Sequence, residues 1–126
     1  MKNEKRQAAM ERANWVAEAA LDRKAIDLVA LDVSELTSYA DTFVIATGTS
    51  DRHTRSIVDA IREAGLQRGE KPLGVEGYDE GRWVLIDLGD IIVHVFQEEV
   101  RKSYDLERLW SDAAELELSA TAAVTA

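Results

Sequence analysis

The stretch Trp83–Phe96 constrains the fold of this chain more than any other. It contains two apolar runs rich in Val, Ile and aromatic residues, which are typical of β-strands. Between the runs lies Asp87-Leu88-Gly89-Asp90, whose Gly and Asp favour a tight reversal. We therefore predict a β-hairpin. Because its strands are apolar on both faces, we expect them at the centre of a sheet covered by helices. The residues predicted to be buried include Val84, Ile86, Ile92 and Val95.

The second apolar run is interrupted by one polar residue, His94. We expect it to lie in the core or at its edge, with its ring hydrogen-bonded. An acid–base role together with Asp87 or Asp90 is the alternative. No obvious nucleophile or oxyanion site accompanies these residues, so this alternative has little support.

Apolar periodicity predicts helices and strands on either side of the hairpin. An alanine-rich stripe over 5–23, with Trp15 beside it, favours a helix that packs closely on its support. The other predicted elements are strands at 26–33 and 42–47, a helix at 51–68, an extended stretch at 72–76, and helical turns at 97–104 and 106–110. The predicted fold class is α/β with an α+β-like character: a single-layer mixed β-sheet of about five strands with helices packed on it.

The helix predicted at 51–68 has a recognisable start and end. Ser50 or Asp51 supplies an N-cap, whereas Gly65 and Gly69 weaken its last turns. Its predicted buried stripe consists of Ile57, Val58, Ile61, Ala64 and Leu66.

The length of 126 residues suits one domain with its own core. We assign this domain to residues 1–110. Residues 111–126 form a C-terminal tail, which we expect to be partly disordered. The start of the tail has fair helical propensity, but its last eight residues have no packing pattern and should fray.

Composition excludes several classes of protein. The chain has no cysteine and two histidines, so neither a disulfide framework nor a zinc motif is expected. No apolar run approaches the ~20 residues of a membrane span, and no apolar signal-peptide core is present. We expect a cytoplasmic protein without cofactor or metal.

Charge is distributed unevenly along the chain, which carries a net −9. Residues 1–24 hold six basic and four acidic side chains, whereas Glu76–Glu99 holds seven acidic side chains and one Arg. Such an acidic segment repels phosphate backbones. We therefore expect no sequence-specific binding of nucleic acid and, if the protein works near nucleic acid, docking on a basic protein.

Two kinds of catalytic site are incomplete in this sequence. The turn Gly48-Thr49-Ser50 precedes a helix, but it lacks both the Walker and the dinucleotide-binding patterns, so an ordinary helix cap is expected. A nucleotidyltransferase needs two carboxylates, two residues apart on one strand, to hold magnesium. Asp87 and Asp90 are three apart across a turn, and Asp32 stands alone on its strand.

A binding surface is the remaining interpretation. Aromatic residues are interleaved with acids in the second half of the chain, which is a composition typical of protein interfaces. They are Tyr78, Trp83, Phe96, Tyr104 and Trp110. Some of them are expected to complete the core instead, Trp110 more than Tyr104.

Four stretches together resemble the ribosomal silencing factor family, also called the Iojap-related family. They carry the patterns GTSxRH, PLGVEG, DLGDxxVHVF and YxLExLW, in order and with ordinary spacing. The matching stretches are Ala40–His53, Pro72–Gly77, Trp83–Phe96 and Glu98–Trp110. The extreme N-terminus and the residues after Trp110 fall outside this resemblance.

The resemblance implies a nucleotidyltransferase-like fold without a catalytic role. It implies a translational repressor that binds large-subunit ribosomal protein fourteen and sterically blocks joining of the small subunit. A large-subunit assembly factor using the same surface is the first alternative, and a magnesium-dependent nucleotidyltransferase is the second. We also expect that the free protein is able to form a homodimer. The predicted partner-binding residues are Glu76, Trp83, Asp87, Asp90, His94, Glu98 and Tyr104.

Overall fold

The computed structural model describes residues 2–120, and its helices and strands follow the predicted order. The elements are α1 (Lys2–Asp22), β1 (Ile26–Asp32), β2 (Thr42–Gly48), α2 (Asp51–Gln67), β3 (Gly74–Glu76), β4 (Trp83–Asp87), β5 (Ile91–Gln97), α3 (Glu98–Tyr104), α4 (Leu106–Leu109) and β6 (Ala114–Glu115).

The six strands form one open mixed sheet in the order β3-β4-β5-β2-β1-β6. The central strands β2 and β5 run parallel, whereas every other neighbouring pair is antiparallel. The predicted α/β class with a single mixed sheet is confirmed. The sheet has six strands instead of about five because β6, in the tail, adds to the edge at β1.

The predicted hairpin is confirmed as β4 and β5. Its turn is closed by Gly89, which has a φ of 89° and donates its backbone N–H to Asp87 Oδ1 at 2.8 Å. A positive φ of this kind favours glycine, since a Cβ would be strained there. Both strands lie inside the sheet, and the four core residues predicted from them are buried.

The helices α1 and α2 cover one face of the sheet, which we call the helical face. Small residues of α1, such as Ala13 and Ala17, let this helix lie close to the sheet, and Ile57 and Ile61 of α2 complete the core. Ser50 caps α2 as predicted, because its side chain accepts the backbone N–H of His53 at 3.1 Å.

One predicted core residue of α2 is wrong. Leu66 is 63% exposed, and its neighbour Gly65 is buried instead. A Cβ on Gly65 would lie 3.4 Å from the indole ring of Trp15 on α1. A helix turns by about 100° per residue, so Leu66 points away from α1 once Gly65 faces it.

The opposite face of the sheet, which we call the second face, is covered only in part. Phe43, Ile92 and Phe96 form a second core with Val100 of α3, and Trp110 packs against it. Arg101 fixes α3 on this face by donating from its guanidinium to Thr47 Oγ1 at 2.7 Å. Because α3 and α4 are short, they leave part of this face open.

The first part of the tail is a strand where the sequence favoured helix. Leu116 donates its backbone N–H to Ala30 of β1 at 2.8 Å, and Leu118 is buried against the helical-face core. The side chain of Asn14 on α1 accepts the backbone N–H of Ala120 at 3.0 Å. The rest of the tail, 121–126, lies outside the described residues. The domain boundary after residue 110 stays a prediction.

Candidate functional site

The open part of the second face follows the strand β4. Alternation along this strand directs Trp83, Leu85 and Asp87 to the second face, where all three are half-buried. The residues between them are fully buried against the helical face. The antiparallel register places Glu76 of the edge strand β3 beside Leu85. We call the following residues the open face: Glu76, Trp83, Leu85, Asp87 and Tyr104.

Aromatic rings support the centre of the open face. The ring of Trp83 lies 4.7 Å from that of Tyr104 and 4.9 Å from that of Phe96, measured between centroids. Phe96 is fully buried, whereas Tyr104 is 54% exposed at the end of α3. Tyr104 is therefore the accessible end of a ring cluster whose base is in the core, which is the arrangement of an interface anchor.

His94 lies beneath this cluster and is only 6% exposed. Its Nδ1 accepts the indole N–H of Trp83 at 3.2 Å, and its ring lies between those of Phe43 and Phe96. Burial lowers the pKa of His94 to about 4, so the ring is neutral at pH 7. Since Nδ1 is an acceptor, the proton of the neutral ring is on Nε2.

The expected hydrogen bonding of the His94 ring is only half realised. Its Nε2 is buried and has no hydrogen-bond partner among residues 2–120. The acid–base alternative for His94 also fails, because its bonded nitrogen is paired with an indole and not with Asp87 or Asp90.

The predicted acidic residues are spread over three places. Glu76 and Asp87 lie on the open face. Asp90 lies at the β4–β5 turn and pairs with Arg12 of α1 at 3.8 Å, which directs it toward the helical side. Glu98 begins α3 and pairs with Lys102 at 3.2 Å. The structure thus gathers Glu76, Trp83, Asp87, His94 and Tyr104, and it separates Asp90 and Glu98 from them.

Two apolar residues of this region were missed by the sequence analysis. Leu85 lies between Trp83 and Asp87 on the open face, and alternation along the strand is the signal that could have found it. Leu73 is 77% exposed just before β3 and lies next to the turn glycine Gly89. No local signal marks Leu73, because its exposure depends on β3 being the edge strand.

The turn before α2 has the geometry of a helix cap. Thr49 donates its backbone N–H to His53 Nδ1 at 2.9 Å, and Ser50 accepts the backbone N–H of His53. A Cβ on Gly48 would lie only 2.7 Å from Thr54 Cγ2, so the close packing of these two residues leaves room for glycine alone at position 48. In the described part of the chain, no group of three His, Cys, Asp or Glu residues could hold a metal ion.

Residues 6–126 match the model of a protein family described as "Ribosomal silencing factor during starvation". The chain belongs to the ribosomal silencing factor family. The resemblance inferred from the sequence is therefore confirmed. The match also includes the residues after Trp110, so the expectation that they fall outside the resemblance is wrong.

Individual relatives agree with this assignment. The ribosomal silencing factor of Bacillus subtilis is 43% identical over 97 residues, which are 77% of this chain and 82% of the relative. A mouse protein named mitochondrial assembly of ribosomal large subunit protein 1 is 32% identical over 88 residues, which are 68% of this chain and 39% of the relative. A crystal structure from Chromobacterium violaceum has a TM-score of 0.79 at 35% identity, covering 86% of this chain and 90% of the other.

No helix within residues 2–120 is long and apolar enough to cross a membrane.

Proposed function

We propose that the protein is a cytoplasmic translational repressor that binds the large ribosomal subunit through large-subunit ribosomal protein fourteen. Bound there, it sterically blocks joining of the small subunit. One observation carries the proposal: a member of the ribosomal silencing factor family presents an aromatic and acidic sheet face that its own helices leave open. The proposed binding residues are Glu76, Trp83, Asp87, Asp90, His94, Glu98 and Tyr104.

Charge supports a basic protein partner for this face. The segment Glu76–Glu99, which contains most of the open face, holds seven acidic residues and one Arg. Such a charge balance attracts basic protein surfaces and is repelled by exposed RNA phosphates. Glu76 and Asp87 therefore steer the encounter, and the same charges reduce unspecific binding to ribosomal RNA.

Apolar area supplies the affinity that these charges do not. Tyr104 and Trp83 offer large, rigid aromatic surfaces with a polar group at the edge, which is the composition of interface hot spots. Both rest on a buried core, so little freedom is lost when a partner covers them. Rim acids such as Glu98 contribute mainly to the association rate.

Repression by this route needs no chemical step. A bound body on the intersubunit side of the large subunit prevents contacts with the small subunit by its volume alone. The protein would then act in proportion to its occupancy of large subunits. We therefore assign it no catalytic residue, cofactor or metal.

Cross-linking tests the proposed partner directly. The chain has no cysteine, so Glu76→Cys places a photo-cross-linker at a unique position on the open face. The control is Gln67→Cys, at an exposed end of α2 on the helical side. We expect Glu76→Cys to cross-link to ribosomal protein fourteen on purified large subunits, whereas Gln67→Cys does not. Equal cross-linking by both variants, or another protein captured from position 76, would contradict the proposal.

Assembly of the large subunit is a second candidate function, which the name of the mouse relative favours. It would use the same open face and the same partner. The two functions differ in cells that lack the protein. Loss of an assembly factor leaves incomplete large subunits during growth, whereas loss of a repressor leaves complete subunits that stay joined when nutrients are scarce.

Two further expectations remain predictions. A magnesium-dependent nucleotidyltransferase is disfavoured, because Asp87 accepts a backbone N–H of its own turn while Asp90 pairs with Arg12. A titration with magnesium and ATP would expose such an activity if it existed. A homodimer of the free protein is testable by light scattering, with and without large subunits.

A further inference from the structure

A line of contacts connects a buried residue to the exposed tip of the open face. His94 accepts the indole N–H of Trp83 at 3.2 Å, and the indole ring in turn lies 4.7 Å from the ring of Tyr104. These residues come from β5, β4 and α3, so the line crosses three elements. His94 itself is buried, and it is too deep to serve as a main contact for a partner.

The hydrogen bond is what a histidine adds at this position. An apolar ring would fill the space between Phe43 and Phe96 without burying an unpaired Nε2–H, but it would leave the indole N–H of Trp83 without its acceptor. His94 instead keeps a buried Nε2–H without a partner in the described chain, which generally destabilises a fold. The contact that offsets this cost is the hydrogen bond that His94 Nδ1 accepts from Trp83 Nε1.

This bond restricts the orientation of the Trp83 side chain. Trp83 is only half-buried, and its ring packs against Phe96 and Tyr104, which are contacts that do not by themselves fix where the indole N–H points. A hydrogen bond to a fixed, neutral imidazole selects one ring orientation. Tyr104 is in the last turn of a short helix and depends on the Trp83 ring for support, because more than half of its surface is exposed.

We propose that His94 is a positioning residue of the open face, which holds Trp83 by its indole N–H and through it orients Tyr104 for docking. This inference rests on the proposed function, because it concerns the same binding surface. It assigns the anchor to three coupled residues and not to Tyr104 alone.

Matched variants separate the hydrogen bond from the packing. His94→Phe keeps an aromatic ring and removes the acceptor, whereas His94→Asn removes the ring and keeps an oxygen that can accept the indole N–H near the place of Nδ1. We expect His94→Phe to bind large subunits roughly three- to tenfold more weakly, as for the loss of one preorganised side chain. We expect His94→Asn to bind more tightly than His94→Phe, even where it is less stable.

A double-mutant cycle tests whether the effect passes through Tyr104. In a Tyr104→Ala background, His94→Phe should weaken binding no further, because the ring that it orients is gone. Trp83→Phe is the second background: it removes the indole donor, so His94→Phe should weaken binding no further there either. Should His94→Phe fail to fold, His94→Leu takes its place, because it lacks the acceptor and matches His94→Asn in size.

Nuclear magnetic resonance checks the hydrogen bond itself, whereas the double-mutant cycle separates positioning from a purely structural role. In His94→Phe the indole N–H signal of Trp83 should shift and exchange faster with solvent, whereas that of Trp15, on the helical face, should stay in place. The positioning role is overturned if folded His94→Phe and Trp83→Phe both bind like wild type. It is also overturned if His94→Phe weakens binding equally with and without Tyr104. If wild type itself fails to bind large subunits, the proposed function is wrong instead.

Discussion

The ring centroids of Trp83 and Tyr104 lie 4.7 Å apart, although one residue begins an interior strand and the other ends a surface helix. The contact ties α3 to the sheet at the point where the helix stops. The exposed ring of Tyr104 therefore rests on the indole ring of Trp83, which is itself packed against Phe96. The exposed side chain of Tyr104 is thereby supported by a side chain of the sheet.

Removal of the Tyr104 ring is expected to weaken binding to large subunits. Tyr104→Ala should cost about 2 kcal/mol or more of binding free energy, which is a loss of at least roughly thirtyfold in affinity. Co-sedimentation over a range of protein concentrations measures it. Leu66→Ala is the control, because Leu66 is similarly exposed on α2, away from the open face. Equal affinities of the two variants would exclude Tyr104 as an anchor.

Reversal of one charge on the open face should slow association with the ribosome. Glu76→Lys replaces an exposed acid of β3, and we expect its association rate to fall on the order of twofold to tenfold at low ionic strength. The salt dependence of the rate should also become flatter, since steering by charge is screened by salt. Stopped-flow mixing measures both, and Glu63→Lys on α2 is the matched control. A rate that falls as much in the control would mean that net charge alone matters.

The local pattern predicted the parts of the fold that depend on neighbouring residues. The two apolar runs of Trp83–Phe96 and the turn between them predicted the hairpin and its buried residues, and Ser50 predicted the start of α2. These features arise from strand pleating, turn chemistry and helix capping, all of which act within a few residues. Five of the seven predicted binding residues therefore lie together, since they share one hairpin face or pack on it.

Features that depend on distant residues were not visible in the sequence. The pairing of β6 with β1 involves a two-residue strand that has no periodicity of its own. Asp90 looked equivalent to Asp87, but Arg12 of α1 pairs with it from a distant part of the chain. The exposure of Leu66 follows from the burial of Gly65 against Glu70 and Trp15, which depends on how distant parts of the chain pack.

Substitution of two glycines by alanine tests the turn at Gly77, which precedes the strand that carries Trp83. Gly77 has a φ of 81°, and a Cβ on it would lie 2.2 Å from the backbone oxygen of Trp83. Gly77→Ala should therefore lower the free energy of unfolding by at least about 1–2 kcal/mol. Gly74→Ala is the control, because its Cβ would meet no atom within 4 Å, and it should stay within about 0.5 kcal/mol of wild type. Denaturant unfolding of both variants measures the difference, and equal stabilities would show that the turn relaxes.

The buried imidazole of His94 should make stability depend on pH. The unfolded chain binds a proton at this residue below about pH 6.5, whereas burial lowers the pKa in the folded protein to about 4. As the pH falls through this window, protonation therefore favours the unfolded state. The loss should reach about 3 kcal/mol between pH 7 and pH 4 relative to His94→Phe, which keeps every carboxylate. Parallel stability curves of the two proteins would contradict a lowered pKa.

Subunit joining tests the central claim most directly. Purified large and small subunits are mixed with increasing amounts of the protein, and joined ribosomes are separated from free subunits on a sucrose gradient. We predict that wild type moves joined ribosomes into the free-subunit fractions and sediments with the large subunit. Tyr104→Ala should need at least roughly thirtyfold more protein for the same effect. If wild type sediments with large subunits and the joined fraction stays unchanged at saturation, the protein does not act by blocking subunit joining.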